Sequence, residues 1–422
     1  MYIKEKNIYI SDQHNIMFDL NEYRIFFITE KLRHYIESGR KTIGDLWNEE
    51  EVKILKHVEV MDSKVSYKKG SCDSVKIHVS NTCNLRCRYC YAHGGNYGQP
   101  NTLMDRETAE RIVYFINRSE MMEKIRYITF FGGEPLMNPD IIEYICSNIQ
   151  NKDIKFLMQS NGTLMNERII SILKEYDIGL TISLDGPLEI NDINRVDTLG
   201  NGTYEKIVAN MNTLLHQGGK INAIEATLSQ EFKKNYRKRQ IADYIYQTTG
   251  VQAIKVEYDA RVDNFDCEKN QIEDSIEDFF DNCINERYIM DNAVYKIMST
   301  FLAKTYKDAI CPAGSSVLTI DVNGNIYPCQ LFIEEPEWKL GEICEGTIRN
   351  MPQTFYKSKN SECIKCVARS TCSICMIRQS REKYCELNRI YQKKVLDKFA
   401  DLIQQGKFTQ FYNSYCSLTQ NF

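Results

Sequence analysis

The stretch that decides the fold is Val75-Lys-Ile-His-Val79-Ser-Asn-Thr-Cys83-Asn-Leu-Arg-Cys87-Arg-Tyr-Cys90. In it an apolar, β-branched strand leads into three cysteines with C-x3-C-x2-C spacing. Three thiolates on one loop can hold three irons of a [4Fe–4S] cluster and leave the fourth iron open. A zinc ion would normally need a fourth protein ligand, for which His93 is the nearby candidate. The spacing alone therefore allows either metal site.

The chain after these cysteines alternates strands with amphipathic helices such as Glu107–Arg118 and Tyr204–His216. The predicted strands are Val75–Val79, Ile125–Phe131, Ile154–Met158, Leu180–Leu184, Ile221–Leu228 and Ala253–Tyr258. Alternating strand–helix units form a parallel sheet with right-handed crossovers. Six such units predict an α/β fold with an open, partial (β/α)6 barrel, whose chemistry belongs at the carboxyl ends of the strands.

The composition excludes several classes of protein. A net charge of −4 over 422 residues gives no overall field for nucleic acid or an acidic membrane. No apolar stretch is long enough to span a bilayer, and the N-terminus lacks the apolar core of a signal peptide. We therefore expect a cytoplasmic protein. Sixteen cysteines in such a chain indicate metal binding rather than disulfides.

Glycine-rich and polar motifs follow the next three predicted strands. They are Gly132-Gly133-Glu134-Pro135, Gln159-Ser160-Asn161-Gly162 and Ser183-Leu184-Asp185-Gly186-Pro187, with Asn191-Asp-Ile-Asn-Arg195 after the last. Each alone is compatible with an ordinary turn. Together with the cysteine loop, in which Tyr89 takes the usual aromatic position, they resemble the radical S-adenosylmethionine (SAM) superfamily.

This resemblance implies a catalytic [4Fe–4S] cluster on Cys83, Cys87 and Cys90, with SAM bound at the open iron. It also implies that Glu134 accepts from the methionyl ammonium group, and that the later motifs line the ribose and carboxylate of SAM. The residues expected to contact SAM are Tyr89, Gly132, Gly133, Glu134, Pro135, Ser160, Asn161, Ser183, Asp185 and Arg195.

A second cysteine field resembles a SPASM domain, which typically carries two auxiliary [4Fe–4S] clusters. By that resemblance the second auxiliary cluster is held by Cys363, Cys366, Cys372 and Cys385. The first is held by Cys311, Cys329 and Cys375. Three clusters are thus expected in total. Two residues, rather than the usual three, separate Cys372 from Cys375, which puts the ligand role of Cys375 in question. Alone, the segment from Cys363 to Cys375 is also compatible with a zinc knuckle.

The first auxiliary cluster lacks a fourth cysteine in the expected place. Relatives with full ligation have a cysteine shortly before the Cys311 position, where this chain has Lys304, Thr305 and Tyr306. This predicts an open iron, unless Cys344 fills it. Gln330 follows Cys329, where relatives that oxidise a serine or cysteine side chain often have an acid. An amide cannot abstract a proton, which argues against that reaction.

The N-terminal segment predicts three small strands and three short helices, one of them around Thr42–Trp47, arranged as a winged-helix-like module. Asn48-x-x-Glu51 predicts a capping box. The module resembles elements that bind a leader peptide by strand addition; alternatively, it only packs on its neighbour. The predicted domains are the module (1–70), the radical SAM barrel (71–262), a helical bridge (263–309), the SPASM domain (310–392), and a C-terminal helix and tail (393–422).

These resemblances together indicate a maturase that installs thioether crosslinks in a cysteine-rich, ribosomally made precursor peptide, as sactipeptide and ranthipeptide enzymes do. A radical formed from SAM would remove a hydrogen atom, a peptide thiolate would attack that carbon, and an auxiliary cluster would accept the surplus electron. The expected partners are a precursor peptide with a leader and a reductant such as flavodoxin or ferredoxin. The alternatives are carbon–carbon crosslinking, another peptide oxidation, or a non-catalytic iron–sulfur protein that binds or senses peptides.

Overall fold

The computed structural model describes residues 1–4, 7–38, 47–60, 72–259, 264–290, 293–304, 308–344, 349, 356–375 and 381–419. They form two compact units. The first unit combines residues 1–69, 265–311 and 353–420. The second combines residues 70–264 with 312–352. Both units therefore consist of segments that are distant in sequence.

The chain begins with a four-stranded antiparallel meander followed by two helices. The elements are β1 (Tyr2–Ile3), β2 (Ile8–Ile10), β3 (Ile16–Asp19), β4 (Arg24–Phe27), α1 (Glu30–Ser38) and α2 (Glu49–Val60). The meander has one strand more than predicted, and the helix predicted around Thr42–Trp47 falls on residues that, apart from Trp47, lie outside the described ones. The capping box is present, because Asn48 N donates to Glu51 and Glu51 N donates to Asn48 at 2.9 and 2.8 Å.

Six parallel strands form the centre of the second unit, as predicted. They are β5 (Ser74–Ser80), β6 (Tyr127–Gly132), β7 (Lys155–Ser160), β8 (Gly179–Ser183), β9 (Ala223–Leu228) and β10 (Ala253–Tyr258). The intervening helices are α3 (Arg106–Arg118), α4 (Pro139–Asn148), α5 (Glu167–Glu175), α6 (Leu188–Asn194), α7 (Tyr204–His216) and α8 (Lys238–Thr249). Every strand pairs in parallel with its neighbour in sequence, so the order is sequential from β5 to β10.

The rest of the chain contributes to both units. The first unit gains α9 (Phe265–Asn270), α10 (Ile272–Ile284), β11 (Ile289–Met290) and α11 (Ala293–Ala303). The second unit gains β12 (Val317–Ile320), β13 (Asn325–Tyr327) and β14 (Gly341–Glu342). The first unit ends with α12 (Ser361–Ile364), α13 (Arg381–Gln404) and α14 (Phe408–Thr419). The closing helix thus starts at Arg381, earlier than predicted, and α14 was not predicted.

The hairpin expected between Thr319 and Cys329 is present and extends the parallel sheet. Strand β12 lies parallel beside β5, with Thr319 opposite Lys76, and pairs with β13 in antiparallel fashion. Cys329 ends this hairpin. The hairpin strand β12 pairs with β5, which leads into the first cysteine loop. No described helix is long and apolar enough to cross a membrane.

The N-terminal sheet has two different apolar faces, because side chains alternate along each strand. Ile8, Ile10 and Met17 pack with the helices α1 and α2. Tyr9 and Phe18 instead belong to the large aromatic core that α10, α11, α13 and α14 form in the same unit. The Tyr9 hydroxyl also donates to Asp397 on α13 at 2.7 Å. The sheet therefore shares one of its two cores with the C-terminal helices.

Candidate active site

The first cysteine loop follows β5 and is hydrogen-bonded to the end of α6 and to the segment after it. Arg86 N donates to Val196 O at 2.7 Å, and Arg88 N donates to Asn194 O at 2.9 Å. Cys90 N donates to Cys87 O at 3.1 Å, which closes a turn between these two cysteines. Backbone hydrogen bonds therefore fix the position of the loop against the end of α6.

The three thiols of this loop are partly buried and interact electrostatically with one another. Burial raises the pKa of Cys83 to about 12, with the Glu134 carboxylate and the other two cysteines adding to the rise. Burial also raises the pKa of Cys87 to about 11. A metal centre supplies the positive charge that makes such thiols ionise at neutral pH. The donor set therefore suits a metal centre.

His93 has a carboxylate partner of its own. A zinc ion at the cysteine loop would normally need a fourth protein ligand, for which His93 is the nearby candidate. The His93 Nε2 atom lies 3.2 Å from the Glu334 carboxylate.

The Gly132-Gly133-Glu134-Pro135 turn lies against the end of β5, and its glycines are required there. Gly132 has a φ of +132°, and a Cβ on it would lie 2.1 Å from Ser80 O. A Cβ on Gly133 would lie 2.3 Å from Thr82 O. These distances are shorter than any real contact, so side chains at both positions would push the turn away from the cysteine loop.

Glu134 is almost completely enclosed, with 1% of its surface exposed. Its carboxylate accepts from Leu136 N at 3.0 Å, from Ser160 Oγ at 2.8 Å and from Asn161 N at 2.7 Å. Burial raises the pKa of Glu134 to about 7, although these hydrogen bonds act in the opposite direction. A cationic ligand at this carboxylate would favour its ionised form.

Asn161 connects the third strand end to the cysteine loop. Its Nδ2 donates to Asn84 Oδ1 at 3.0 Å and lies 3.7 Å from Cys83 Sγ. Its Oδ1 accepts from the backbone N and the hydroxyl of Thr163 at 2.9 and 2.7 Å. Asn84 and Thr163 also bond to each other at 2.8 Å. The sequence analysis did not single out these two partners, because nothing in their spacing sets them apart.

Tyr89, Asp185 and Arg195 form a buried hydrogen-bonded brace. Asp185 accepts from the Tyr89 hydroxyl at 2.6 Å and from Arg195 Nε at 3.0 Å. It also accepts from Thr227 N at 3.0 Å. The brace joins the cysteine loop to the ends of β8 and β9. Among the described residues, neither Nη nitrogen of Arg195 has a hydrogen-bond partner, so both remain for a ligand. Contacts of these residues with SAM stay a prediction.

Ser183 and Pro135 complete the predicted SAM-binding set. Ser183 is the buried last residue of β8, and Pro135 is buried at the start of the 3-10 turn Pro135–Met137. All ten residues of that set therefore lie in the second unit, at or after the carboxyl ends of the strands. This is the location that the sequence analysis predicted.

A polar lining on the same sheet was not predicted. Lys76 on β5 donates to Gln330 Oε1 at 3.3 Å and lies 4.7 Å above the Phe131 ring. On β9, the Glu225 carboxylate accepts from Lys255 Nζ at 2.6 Å and also from Gln159 Nε2. Alternation along the strands was the signal that could have revealed these side chains.

The four cysteines assigned to the second auxiliary cluster come together in the first unit. The pKa of Cys372 is raised to about 12, chiefly by burial, and the thiols of Cys366, Cys385 and Cys363 add to the rise. Asn360 Oδ1 accepts from Cys363 N at 3.2 Å and caps α12. The thiol of Cys372 therefore interacts electrostatically with the other three, and the role of these four cysteines as cluster ligands stays a prediction.

The first auxiliary set is divided between the two units. Cys311 and Cys375 belong to the first unit and Cys329 to the second. Cys344, the alternative fourth ligand, is exposed and donates to Glu342 Oε2 at 3.4 Å. Of the region that lacks a cysteine, Thr305 and Tyr306 lie outside the described residues. The ligation of this cluster remains a prediction.

Known proteins resemble this chain in sequence. The family model described as Radical SAM superfamily matches residues 77–228. An uncharacterised protein of Methanocaldococcus jannaschii is 44% identical over 124 residues, which are 28% of this chain and 40% of that protein. A cysteine-type anaerobic sulfatase-maturating enzyme of Clostridium perfringens is 26% identical over 68% of this chain and 80% of its own length. The radical SAM cyclopropyl synthase TigE of Paramaledivibacter caminithermalis is 23% identical over 77% and 74%, respectively.

Solved structures share the fold. The structure of anSMEcpe with bound AdoMet and Cp18Cys peptide matches with a TM-score of 0.63 and 20% identity, covering 79% of this chain and 98% of the other. Streptococcus suis SuiB bound to the precursor peptide SuiA matches with a TM-score of 0.50 and 17% identity, covering 88% and 95%. Together with the cysteine loop and the Glu134 turn, these matches show that the chain contains a radical SAM domain over residues 77–228 and is similar over most of its length to radical SAM maturating enzymes.

Proposed function

We propose that this enzyme installs thioether crosslinks in a cysteine-rich, ribosomally made precursor peptide. The choice of thioether chemistry rests on Gln330, which lies beside Lys76 and Tyr91. Enzymes that oxidise a serine or cysteine side chain would be expected to have an acid at the Gln330 position. Relatives whose names describe sulfatase maturation and a structure named for its bound precursor peptide support a peptide or protein substrate.

The residues of the first site fit a [4Fe–4S] cluster with SAM. When bound, this pair supplies one-electron cleavage of the sulfonium and a carbon-centred radical. Cys83, Cys87 and Cys90 would ligate the cluster, and the Glu134 carboxylate would accept from the methionyl ammonium group. The unpartnered Nη nitrogens of Arg195 suit the carboxylate of SAM, since a guanidinium can bind a carboxylate with two hydrogen bonds.

The groups around Gln330 offer hydrogen-bond donors rather than a base. Gln330 accepts from Lys76 at 3.3 Å. The pKa of the neighbouring Tyr91 is raised above that of a free phenol, so its hydroxyl is protonated at neutral pH. Glu225, the nearest acid on the lining described above, already accepts from Lys255 and Gln159. A substrate thiol is therefore expected to ionise by binding a metal centre and to release its proton to solvent, because thiolates form readily on metal ions.

The leader of the precursor would bind the N-terminal sheet. Strand β4 is the last strand in the order β1-β2-β3-β4 and exposes Phe27, whose exposed fraction is 61%. An outer strand can pair with an extended peptide through backbone hydrogen bonds, while an exposed aromatic side chain adds apolar contact. Leader recognition at β4 is therefore part of the proposal.

The complete enzyme would contain three [4Fe–4S] clusters and receive electrons from a flavodoxin or ferredoxin. The four thiols around Cys372 support one auxiliary cluster. Cys311, Cys329 and Cys375 would hold another, with an open iron or Cys344 as the fourth ligand. Carbon–carbon crosslinking is the second candidate function, and it needs the same radical cluster but no substrate thiol.

The test uses a short cysteine-rich open reading frame beside the gene, co-expressed with the enzyme under anaerobic conditions. Thioether formation predicts a peptide that is lighter by two hydrogens per crosslink. Its crosslinked cysteines should resist both reducing agents and alkylation by iodoacetamide. A precursor with serine in place of these cysteines should not be crosslinked. Crosslinking of that serine precursor would refute the proposal and favour carbon–carbon bond formation.

A further inference from the structure

Three side chains that commonly ligate metal ions converge at one end of the N-terminal sheet, and none of them is a cysteine. They are Asp19, the last residue of β3, Glu22 in the turn between β3 and β4, and His57 on α2. One ligand atom of each, a carboxylate oxygen or an imidazole nitrogen, lies within 4.8 Å of the other two. The sheet and a helix of the first unit thus supply the donors together.

Asp19 is a fully buried acid without a lysine or arginine partner. Its Oδ1 accepts from Asn21 N at 2.8 Å and from Glu22 N at 3.2 Å. Its Oδ2 lies 2.9 Å from His57 Nε2. Within the part of the chain that the structure describes, no lysine or arginine forms a salt bridge with Asp19. Because buried charges in proteins are paired or coordinate metal ions, Oδ2 and His57 Nε2 face a position that suits a cation.

The other two donors are partly exposed, so metal ions in solution reach them. The His57 ring packs against Phe26 with ring centroids 5.0 Å apart, and this contact supports the orientation that brings Nε2 to Asp19. Glu22 accepts from Arg24 Nε at 2.9 Å, and these two side chains are 52% and 57% exposed. An ion pair this exposed contributes little stability, so Glu22 can exchange Arg24 for a metal ion.

We propose that Asp19, Glu22 and His57 bind a zinc ion, with water as the fourth ligand. One imidazole nitrogen and two carboxylate oxygens are ligands that zinc takes at bond lengths of ~2.0–2.2 Å. A tetrahedral ion with such bonds holds its ligand atoms about 3.4 Å apart. The Asp19 and His57 atoms are 2.9 Å apart, so small side-chain shifts would complete the geometry. The site uses no cysteine and is therefore independent of the proposed function.

A zinc ion at this position would have a structural role. It would connect α2 to the turn that leads from β3 into β4, and so join two segments that are about 35 residues apart in sequence. A metal ion that binds only the folded state shifts the unfolding equilibrium toward that state. Zinc should therefore raise the melting temperature of the protein.

Three variants each replace one donor by a side chain that is a poor zinc ligand. Asp19→Asn keeps an oxygen that accepts from the two backbone N–H groups, and His57→Gln keeps a polar side chain on α2. Glu22→Gln changes an exposed side chain, so the inference can still be tested if Asp19→Asn destabilises the fold. His34→Gln is the matched control, because His34 is exposed on α1 in the same unit.

The experiment adds zinc to the full chain after anaerobic reconstitution with iron and sulfide. Elemental analysis counts zinc and iron, and X-ray absorption at the zinc edge gives the bond lengths. The wild type and His34→Gln should bind one zinc ion with first-shell distances of ~2.0–2.2 Å, as nitrogen and oxygen ligands require. The three site variants should bind that ion at least about tenfold more weakly, with unchanged iron content.

Two results would overturn the inference. Zinc that has a sulfur shell near ~2.3 Å, and that is equally abundant in the wild type and all three site variants, would show that cysteines hold the metal. A wild type that binds no zinc would leave Asp19 and His57 as an ordinary hydrogen-bonded pair. Neither result bears on thioether formation, which is measured on the peptide.

Discussion

Glu134 combines deep burial with three hydrogen bonds to its carboxylate, and burial prevails, raising its pKa to about 7. A protonated carboxyl group cannot form an ion pair with the ammonium group of SAM. Because the pKa is raised, the carboxyl group is half ionised near pH 7, and the ionised form is lost as the pH falls through that value. The side chain therefore links SAM affinity to pH.

We predict that SAM binds less tightly as the pH falls below about 7, approaching a tenfold loss per pH unit. The measurement is anaerobic equilibrium binding of SAM to the reconstituted enzyme between pH 6 and 8.5. Glu134→Gln should bind weakly at every pH, since it has no charge to lose. A wild-type affinity that stayed constant across this range would contradict the role given to Glu134.

The hydroxyl group of Tyr89 supports the site through a hydrogen bond to another residue of the site. Its hydrogen bond to Asp185 connects the cysteine loop to the brace that includes Arg195. Tyr89→Phe leaves Asp185 with one partner fewer, which should cost about 1–3 kcal/mol of unfolding free energy. We expect lower iron occupancy after reconstitution, measured together with the melting temperature. Tyr114→Phe is the control, because Tyr114 is 70% exposed, and equal iron in both variants would argue against the brace.

At the scale of elements, the carboxyl ends of β5 to β9 carry the candidate site, and β4 is the outer strand at which the proposed leader would bind. Ile28 N donates to Asn15 O at 2.9 Å, toward β3. N–H groups alternate in direction along a strand, so the Phe27 N–H points to the open side. This N–H is the group that an added strand would use.

We predict that Phe27→Pro weakens leader binding more than Phe27→Ala does. Proline removes the outward donor, and an edge strand tolerates proline at such a position. Phe27→Ala removes only the apolar contact and serves as the matched comparison. The measurement is fluorescence anisotropy with a labelled precursor peptide. Equal affinities of the two variants would show that the backbone edge of β4 takes no part.

At the scale of the whole molecule, the N-terminal segment packs with the rest of its unit more closely than an independent recognition module would. Tyr9 and Phe18 lie in the aromatic core with Phe301 and Phe399. Arg369, between Cys366 and Cys372, donates to Asn21 Oδ1 at 2.8 Å and to Ile364 O at 2.7 Å. The turn after β3 therefore supports the loop that carries two of the predicted auxiliary ligands.

Deleting residues 1–69 should consequently do more than remove peptide binding. We predict lower solubility, a lower melting temperature and loss of iron from the auxiliary site, since the deletion exposes an aromatic core. Iron analysis and thermal unfolding of the truncated protein are the measurements. A truncated protein with full iron content and an unchanged melting temperature would show that residues 1–69 form an independent module.

The sequence predicted the part of the fold that local patterns encode. Alternating strands and helices indicated the parallel sheet, and the glycines of the Glu134 turn indicated a close approach to the cysteine loop. Pairing between distant segments could not be predicted from local patterns. For example, β12 lies beside β5 although about 240 residues separate them. Lys357 is one of 53 lysine and arginine residues, and only folding leaves it with 3% of its surface exposed. Asn84, Thr163 and Thr227 were missed for the same reason.

The central claim, radical abstraction from a peptide that this enzyme then crosslinks, is tested most directly by following one hydrogen atom. The precursor is produced uniformly deuterated at carbon and incubated with reduced enzyme and unlabelled SAM in ordinary water. Mass spectrometry of the 5′-deoxyadenosine should show one deuterium gained per turnover, together with a crosslinked peptide whose cysteines resist iodoacetamide. Unlabelled 5′-deoxyadenosine formed alongside crosslinked peptide would contradict the account.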